Sequence, residues 1–340
     1  MTGTIDLIER HGGALSDAFQ RPITYLRISV TDRCNLRCVY CMPAAGLPWV
    51  PKSDILSFEE IERIVRAAAA SGVRSIRLTG GEPLVRRDLV SLVSRLAAIP
   101  GIEDISLSTN GLLLAEHAAA LAAAGLRRVN VSLDTLRPHR FEAIARRSGL
   151  EAVLAGIDAA AAAGLGPLKL NCVVMRGRND DELPAFAELT RTRPLFVRFI
   201  EVMPVVENAS EQREAYVSAD EIVERLSALG TLEGVVGPGG NGPARYFAYR
   251  GAPGAVGVIS PLSHDYCERC NRVRLTADGR LRLCLFGDHE IDLRTPLRAG
   301  AGLDELAALF RNAMLIKPER HHLRLGEPGS RMRAFSEIGG

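Results

Sequence analysis

Three closely spaced cysteines constrain this chain more than any other feature. Cys34, Cys38 and Cys41 stand at C-x3-C-x2-C spacing, directly after an apolar, strand-like run over residues 24–30. One short loop can therefore bring three thiolates to one centre, and thiolate sulfur is the ligand that iron–sulfur clusters and zinc prefer. Structural zinc sites complete four ligands, whereas this trio has no fourth Cys or His nearby. The spacing predicts an incompletely ligated cluster, with a zinc loop or three buried structural thiols as the alternatives.

The other cysteines and the charge balance indicate the compartment and the kind of ligand. Six of the seven cysteines fall into two tight groups, which favours metal ligation in a reducing compartment over a disulfide framework. Cys172, in the strand-like run 168–174, is predicted to pack in the core. The sequence shows no signal peptide and no membrane-length apolar run, which predicts a cytoplasmic protein without a membrane anchor. A net charge of +2 argues against bulk nucleic-acid binding, so an anionic ligand must be met by local arginines.

Strand and helix patterns alternate regularly over residues 24–204. Six strands are predicted at 24–30, 75–78, 102–108, 128–133, 168–174 and 195–200, with helices between them. This alternation predicts an α/β fold with a parallel sheet covered by helices, either a barrel or an open doubly wound sheet. Polar residues recur where strands end, where the active sites of βα barrels lie. They are Thr79, Ser108, Asn110, Ser132, Asp134 and Glu201.

A second trio of cysteines lies near the C-terminus. Cys267, Cys270 and Cys284 have C-x2-C-x13-C spacing, again without a fourth cysteine. His289 could complete a zinc site from five residues beyond Cys284, so spacing alone leaves zinc open. The glycine-rich segment 234–243 lacks the ending of a phosphate-binding loop and is predicted to be an unpacked linker.

Two sets of motifs resemble known families. The first trio, with Tyr40 before its third cysteine and a Gly-Gly-Glu-Pro stretch at 80–83, resembles the radical S-adenosylmethionine (SAM) signature. The second trio, with Cys-Asn-Arg-Val-Arg at 270–274, resembles the GTP 3',8-cyclases of molybdenum cofactor biosynthesis. The match runs from Thr24 to the terminal Gly339 and Gly340. It implies an incomplete (βα)6 barrel, similar to that of triose-phosphate isomerase, with a C-terminal extension that carries a second cluster.

The same resemblance implies a domain division, cofactors and partners. The resemblance places the barrel at 24–204 and the C-terminal region with its Gly-Gly tail at 205–340, and residues 1–23 are predicted from the sequence alone to be a mobile lead-in. The cofactors would be SAM and two [4Fe–4S] clusters. One electron splits SAM to a deoxyadenosyl radical, which removes the ribose 3' hydrogen of GTP so that the carbon radical attacks C8 of guanine. The partners would be an electron donor and a downstream cyclic pyranopterin monophosphate synthase, and a homodimer is compatible with the resemblance.

Site residues are carried over from the family position by position. The catalytic set is Cys34, Cys38, Cys41 and Arg27. The metal ligands are Cys34, Cys38, Cys41, Cys267, Cys270 and Cys284. SAM would contact Tyr40, Gly81, Ser132 and Met203. GTP would contact Arg27, Arg77, Ser108, Lys169, Arg198, Arg272, Val273 and Arg274. Ser108 stands where relatives often have threonine, and either hydroxyl can donate.

Other features of the sequence are compatible with a purely structural role or with a different function. In the family the Gly-Gly tail reaches into the active site, but the sequence alone favours terminal disorder for Gly339 and Gly340. His321 and His322 are predicted to lie on the surface. The rival functions are another radical SAM enzyme with an auxiliary cluster, such as a peptide maturase, a non-enzymatic zinc module, and an RNA-binding protein.

Overall fold

Twelve strands form a single sheet in the computed structural model, which describes residues 15–204, 213–239, 241–325, 327 and 333–339. The strands are β1 (Tyr25–Ser29), β2 (Ser75–Thr79), β3 (Asp104–Thr109), β4 (Arg128–Ser132), β5 (Leu168–Val174), β6 (Leu195–Glu201), β7 (Leu232–Val235), β8 (Arg245–Tyr249), β9 (Ala255–Ile259), β10 (Arg272–Leu275), β11 (Arg280–Arg282) and β12 (Glu290–Asp292). Their order across the sheet is β12-β11-β10-β1-β2-β3-β4-β5-β6-β9-β8-β7. The strands from β10 to β9 in this order are parallel, and the outer pairs are antiparallel.

Helices follow each of the first six strands. They are α1 (Phe58–Ala70), α2 (Leu89–Ala97), α3 (Leu114–Ala123), α4 (Pro138–Ala145), α5 (Leu150–Ala162), α6 (Leu183–Thr192) and α7 (Ala219–Ser227). Later helices are α8 (Arg294–Arg298), α9 (Leu303–Leu315) and α10 (Phe335–Ile338). Among the described strands, β12 and β7 lie at the two ends of the sheet and do not pair with each other. The predicted incomplete barrel of six βα units is therefore confirmed. None of the described helices has the length and apolar character that a bilayer crossing requires.

Helix α1 illustrates how the local sequence determines where a helix begins and which of its faces is buried. The Ser57 hydroxyl accepts a hydrogen bond from the Glu60 amide at 3.1 Å, and the Glu60 carboxylate accepts one from the Ser57 amide at 2.7 Å. This reciprocal pair satisfies two amides that the first turn leaves free. Ile61, Ile64 and Val65 recur at helical spacing and are fully buried against the sheet.

The C-terminal region extends the sheet at both ends of the six-strand run. β9 pairs with β6, and β10 pairs with β1, both in parallel. Helix α9 packs on α1. The two regions therefore share one sheet. The division of the chain at residue 204 stays a prediction.

One prediction about irregular segments is wrong, and another is wrong in part. Residues 15–23, predicted as a mobile lead-in, are packed, because Leu15 and Ile23 are buried and pair through their backbones at 2.7 Å. Residues 1–14 lie outside the described residues. The segment 234–243, predicted as an unpacked linker, begins within β7 and contacts the barrel through the Gly239 carbonyl. Lys169 Nζ and Arg128 Nη1 donate to that carbonyl at 3.0 and 3.1 Å, so side-chain hydrogen bonds hold this part of the segment in place.

Candidate active site

The first cysteine trio lies on a turn that follows β1 and rests on the end of α4. The Arg37 and Val39 amides donate to carbonyls of α4 at 2.9 and 3.0 Å. All three thiols line one cavity of about 190 Å³. Burial raises the pKa of all three thiols, that of Cys41 to about 12, so a bound metal must displace their protons to hold them as thiolates. Three sulfurs around one cavity fit a cluster with an open corner.

A buried carboxylate anchors this turn to the sheet. The Tyr40 hydroxyl donates to Asp134 Oδ2 at 2.7 Å, and Asp134 Oδ1 accepts from the Val173 amide at 2.9 Å. Burial raises the pKa of Asp134 to about 6. The sequence marked Asp134 only as a polar strand end, whereas the structure shows that it fixes Tyr40 beside the cysteines.

The Gly-Gly-Glu-Pro stretch forms the adjoining wall of the cavity. Glu82 accepts hydrogen bonds from the Thr109 hydroxyl at 2.7 Å and the Asn110 amide at 2.6 Å, which tie the stretch to the end of β3. Burial raises the pKa of Glu82 to about 7. At Gly81 a Cβ would stand 2.3 Å from the Arg33 carbonyl oxygen, so the backbones approach as closely as only glycine allows.

Cationic side chains cover the inner face of the barrel next to this cavity. Arg27 on β1 is in register with Arg77 on β2 and Arg274 on β10, so the three share one row. Lys169 and Arg198 follow on the same face of β5 and β6. Lys169 Nζ donates to the Gly239 carbonyl at 3.0 Å, and Arg198 Nε donates to Asn171 Oδ1 at 2.8 Å.

Burial and repulsion between neighbouring cations both disfavour the charged forms of these side chains. Burial and then the neighbouring Arg272 lower the pKa of Arg274 to about 10. Burial and then Arg198 lower the pKa of Lys169 to about 7. In the described part of the chain, five of the cations take part in no salt bridge with an acidic side chain. They are Arg77, Lys169, Arg198, Arg272 and Arg274. A polyanion would supply the missing negative charge.

The second cysteine trio lines a separate cavity. Cys267, Cys270 and Cys284 surround it together with Arg272 and His321. Burial raises the pKa of Cys267, partly offset by a hydrogen bond from the backbone amide of His321. No three His, Cys, Asp or Glu side chains of the described ranges converge on a single-ion position.

Two predictions about histidines near this cavity need correction. His289, considered from spacing as a zinc ligand, is exposed and does not line the cavity. His321, predicted on the surface, is partly buried in the cavity wall, because its ring packs against Phe286 with centroids 4.8 Å apart. His322 is exposed, as predicted.

The C-terminal tail lies between the two trios. Phe335 and Ile338 of α10 pack with Phe286, in a cluster that also contacts Cys41 and Cys284. The Gly339 carbonyl accepts hydrogen bonds from Arg274 Nη1 at 2.6 Å and Arg27 Nη2 at 3.0 Å. The prediction of disorder for Gly339 is therefore wrong, and Gly340 lies outside the described residues. The carbonyl occupies a position where an anionic oxygen would be expected.

Comparisons with known proteins agree with this site. A model described as the radical SAM superfamily matches residues 28–190, and one described as molybdenum cofactor synthesis C matches residues 195–323. A GTP 3',8-cyclase of Pelotomaculum thermopropionicum is 54% identical over 96% of this chain and 100% of its own. One of Moorella thermoacetica is 54% identical with the same coverage.

The chain belongs to the GTP 3',8-cyclase family. Membership makes it a radical SAM enzyme with SAM and two [4Fe–4S] clusters as cofactors. A crystal structure of Streptococcus suis SuiB bound to SAM shares the fold, with a TM-score of 0.57 at 15% identity. That similarity covers 83% of this chain and 64% of the SuiB chain.

The structure places the residues predicted for this cyclase family in two connected groups. Tyr40, Gly81, Ser132 and Met203, predicted for SAM, all line the cavity of the first trio. Ser108 lines it too and accepts from Arg77 Nη1 at 3.4 Å. Residues 272–274 line the second cavity, but the Val273 side chain is buried in the core, so only its backbone is available to a ligand.

Proposed function

We propose that this protein cyclises GTP to (8S)-3',8-cyclo-7,8-dihydroguanosine 5'-triphosphate by radical SAM chemistry, the first step of molybdenum cofactor biosynthesis. The observation that carries the proposal is the row Arg274, Arg27 and Arg77 on β10, β1 and β2. Arg274 lines the second three-thiol cavity, and Arg77 contacts Ser108, which lines the first. A substrate with a base at one end and a polyanionic chain fits such a site, because the row supplies charge and each trio supplies an open cluster corner.

The residues around the first cavity would hold SAM in one orientation. Cys34, Cys38 and Cys41 would hold the first [4Fe–4S] cluster, which supplies the electron that cleaves bound SAM. Gly81 lets its strand end pack directly against the backbone of the first cysteine loop, and its own backbone would contact the methionine amino group. Tyr40, held by Asp134 at 2.7 Å, and Ser132 would fix the adenosine part. The apolar wall of Met203 and Phe335 would exclude water from the radical.

The cationic face would hold the triphosphate, with the guanine directed to the second trio. Lys169 and Arg198 would meet phosphate oxygens in place of the Gly239 carbonyl and the Asn171 amide. Arg27 and Arg274 would exchange the Gly339 carbonyl for substrate oxygens in the same way. Residues 272–274 border the cavity of Cys267, Cys270 and Cys284, which would hold the second cluster at the base.

Several partners follow from this reaction. A one-electron donor must reduce the first cluster, and a downstream cyclic pyranopterin monophosphate synthase would receive the product. We place the protein in the cytoplasm, where thiols and clusters stay reduced. A homodimer is compatible with the proposal, and no membrane or nucleic-acid partner is required.

An anaerobic assay tests the proposed activity. Purified protein given GTP, SAM and a strong reductant should form 5'-deoxyadenosine and a cyclised nucleotide in equal amounts. Deoxyadenosine formed only with a peptide would favour a maturase. Two zinc atoms per chain without sulfide would favour a zinc module, and salt-sensitive polynucleotide binding without clusters would favour an RNA-binding protein.

Replacing Gly81 with alanine should weaken SAM binding by roughly tenfold to a hundredfold. The added Cβ would lie 2.3 Å from the Arg33 carbonyl, and relieving such overpacking costs about 1–3 kcal/mol. Equilibrium binding of SAM to the reconstituted protein measures the loss. Gly234 is the matched control, because no atom lies within 4 Å of its Cβ position. Unchanged SAM affinity in Gly81→Ala would contradict the placement of SAM at this wall.

Above pH 7, the binding of GTP should be accompanied by the uptake of a proton by Lys169. Ligand-free Lys169 has a pKa of about 7, and phosphate favours its ammonium form, so binding raises that pKa. Because the protein must gain a proton to bind, GTP affinity should fall as pH rises from 7 to 9, by up to about tenfold per unit. Calorimetry in buffers of different ionisation enthalpy measures the proton uptake. Lys169→Arg stays charged throughout and should abolish it. Equal uptake in that variant would contradict the assignment.

A further inference from the structure

The His321 imidazole stands in the wall of the second cysteine cavity. It lines the same cavity as Cys267, Cys270 and Cys284, and its ring is held edge-on against Phe286 at an interplanar angle of 69°. The Leu323 amide also donates to the ring, to Nδ1 at 3.2 Å. The His321 ring is therefore held beside the thiols by its packing and by a hydrogen bond.

The hydrogen bonds of the ring determine where its proton lies. Nδ1 accepts a hydrogen bond from the Leu323 amide at 3.2 Å, so Nδ1 carries a lone pair. In a neutral imidazole the proton must then be on Nε2. Nε2 is shielded from solvent and has no hydrogen-bond partner among the described residues. A buried donor without an acceptor is costly, which indicates that a ligand in the cavity supplies the acceptor.

We propose that His321 Nε2–H donates a hydrogen bond to a sulfur of the second [4Fe–4S] cluster. The inference rests on the proposed function only in taking that cluster to occupy this cavity. Sulfide and thiolate sulfurs accept hydrogen bonds, and such bonds raise a cluster's reduction potential because they stabilise the added electron. His321 is then a residue that positions the cluster and sets its potential, at a site where the three cysteines supply the iron ligands.

Direct ligation of iron by His321 is the competing arrangement, and the same hydrogen bond argues against it. Ligation through Nε2 requires the proton to sit on Nδ1, which then could not accept from Leu323. A donor role keeps that bond and also leaves the fourth corner of the cluster open for the substrate base.

The proposal can be tested by potentiometric titration of the two-cluster protein in the absence of GTP. Electron paramagnetic resonance monitors the reduction of each cluster. His321→Leu should keep the iron and sulfide content, lower the reduction potential of the second cluster and leave that of the first unchanged. His321→Gln, which restores an N–H donor, should recover part of the shift. His322→Leu alters the exposed neighbour and should change neither potential.

Three outcomes would overturn the proposal. An unchanged second potential in His321→Leu with intact clusters would exclude the hydrogen bond. Loss of the second cluster in both His321→Leu and His321→Gln would indicate a ligand or a structural role. Strong nitrogen hyperfine coupling from labelled histidine in the wild-type protein would show direct ligation, whereas weak coupling supports a donor. GTP turnover of the same wild-type sample separates failure of the proposed function from failure of this inference.

Discussion

Replacing Cys38 with alanine should abolish SAM cleavage. The three thiols of the first trio line one cavity, and two sulfurs cannot hold a cube at three corners. No 5'-deoxyadenosine should form under anaerobic reducing conditions, with or without GTP. About half of the iron and sulfide should remain, because the second trio lines a different cavity. Product analysis and metal analysis of one sample measure both effects.

Cys172 provides the matched control for this change. It is also buried, but it lies in β5, and its thiol is directed to the Asp134 carbonyl at 3.6 Å rather than to the cavity. Cys172→Ala should keep full iron content and SAM cleavage. SAM cleavage that survives in Cys38→Ala would mean that another group completes the first cluster, and the assignment of the trio would then be wrong.

Replacing Cys270 with alanine should stop cyclisation while SAM cleavage continues. The first cavity keeps its three thiols and its SAM wall, so deoxyadenosine should still form. GTP would lose its contact at the base end, and the ribose would no longer be held against the radical. Deoxyadenosine without cyclised nucleotide, measured by chromatography, is the expected result, together with weaker GTP binding.

A variant of Cys284 provides a parallel test of this prediction, and a variant of the neighbouring Glu268 provides the control. Cys284→Ala should reproduce the uncoupling, because Cys284 shares the cavity with Cys270. Glu268 has an exposed side chain in the same turn, and Glu268→Ala should cyclise GTP normally. Coupled product formation by Cys270→Ala would show that the second trio is not needed for substrate binding.

The sequence predicts the barrel well because its signals are local. The alternation of strands and helices, the cap at Ser57 and the polar strand ends are each contained within a few residues. The parallel strands β9 and β10 were not predicted from the pattern. They are short, and nothing in their own sequence states that they join β6 and β1, which lie far away along the chain.

The cysteine trios and the cationic residues could also be located from sequence, since spacing and family resemblance mark them. The groups that hold them in place could not. Asp134 reaches Tyr40 across 94 residues, and Gly339 reaches Arg27 across 312. His321 looks like a surface residue next to His322, and only its packing against Phe286 brings it to the second trio.

The pairing of β10 with β1 has a consequence for synthesis on the ribosome. β1 emerges about 250 residues before β10, so a nascent chain carries an uncovered strand edge over that interval. We expect a fragment ending at residue 204 to aggregate, because β1 then lacks the strand that covers its edge.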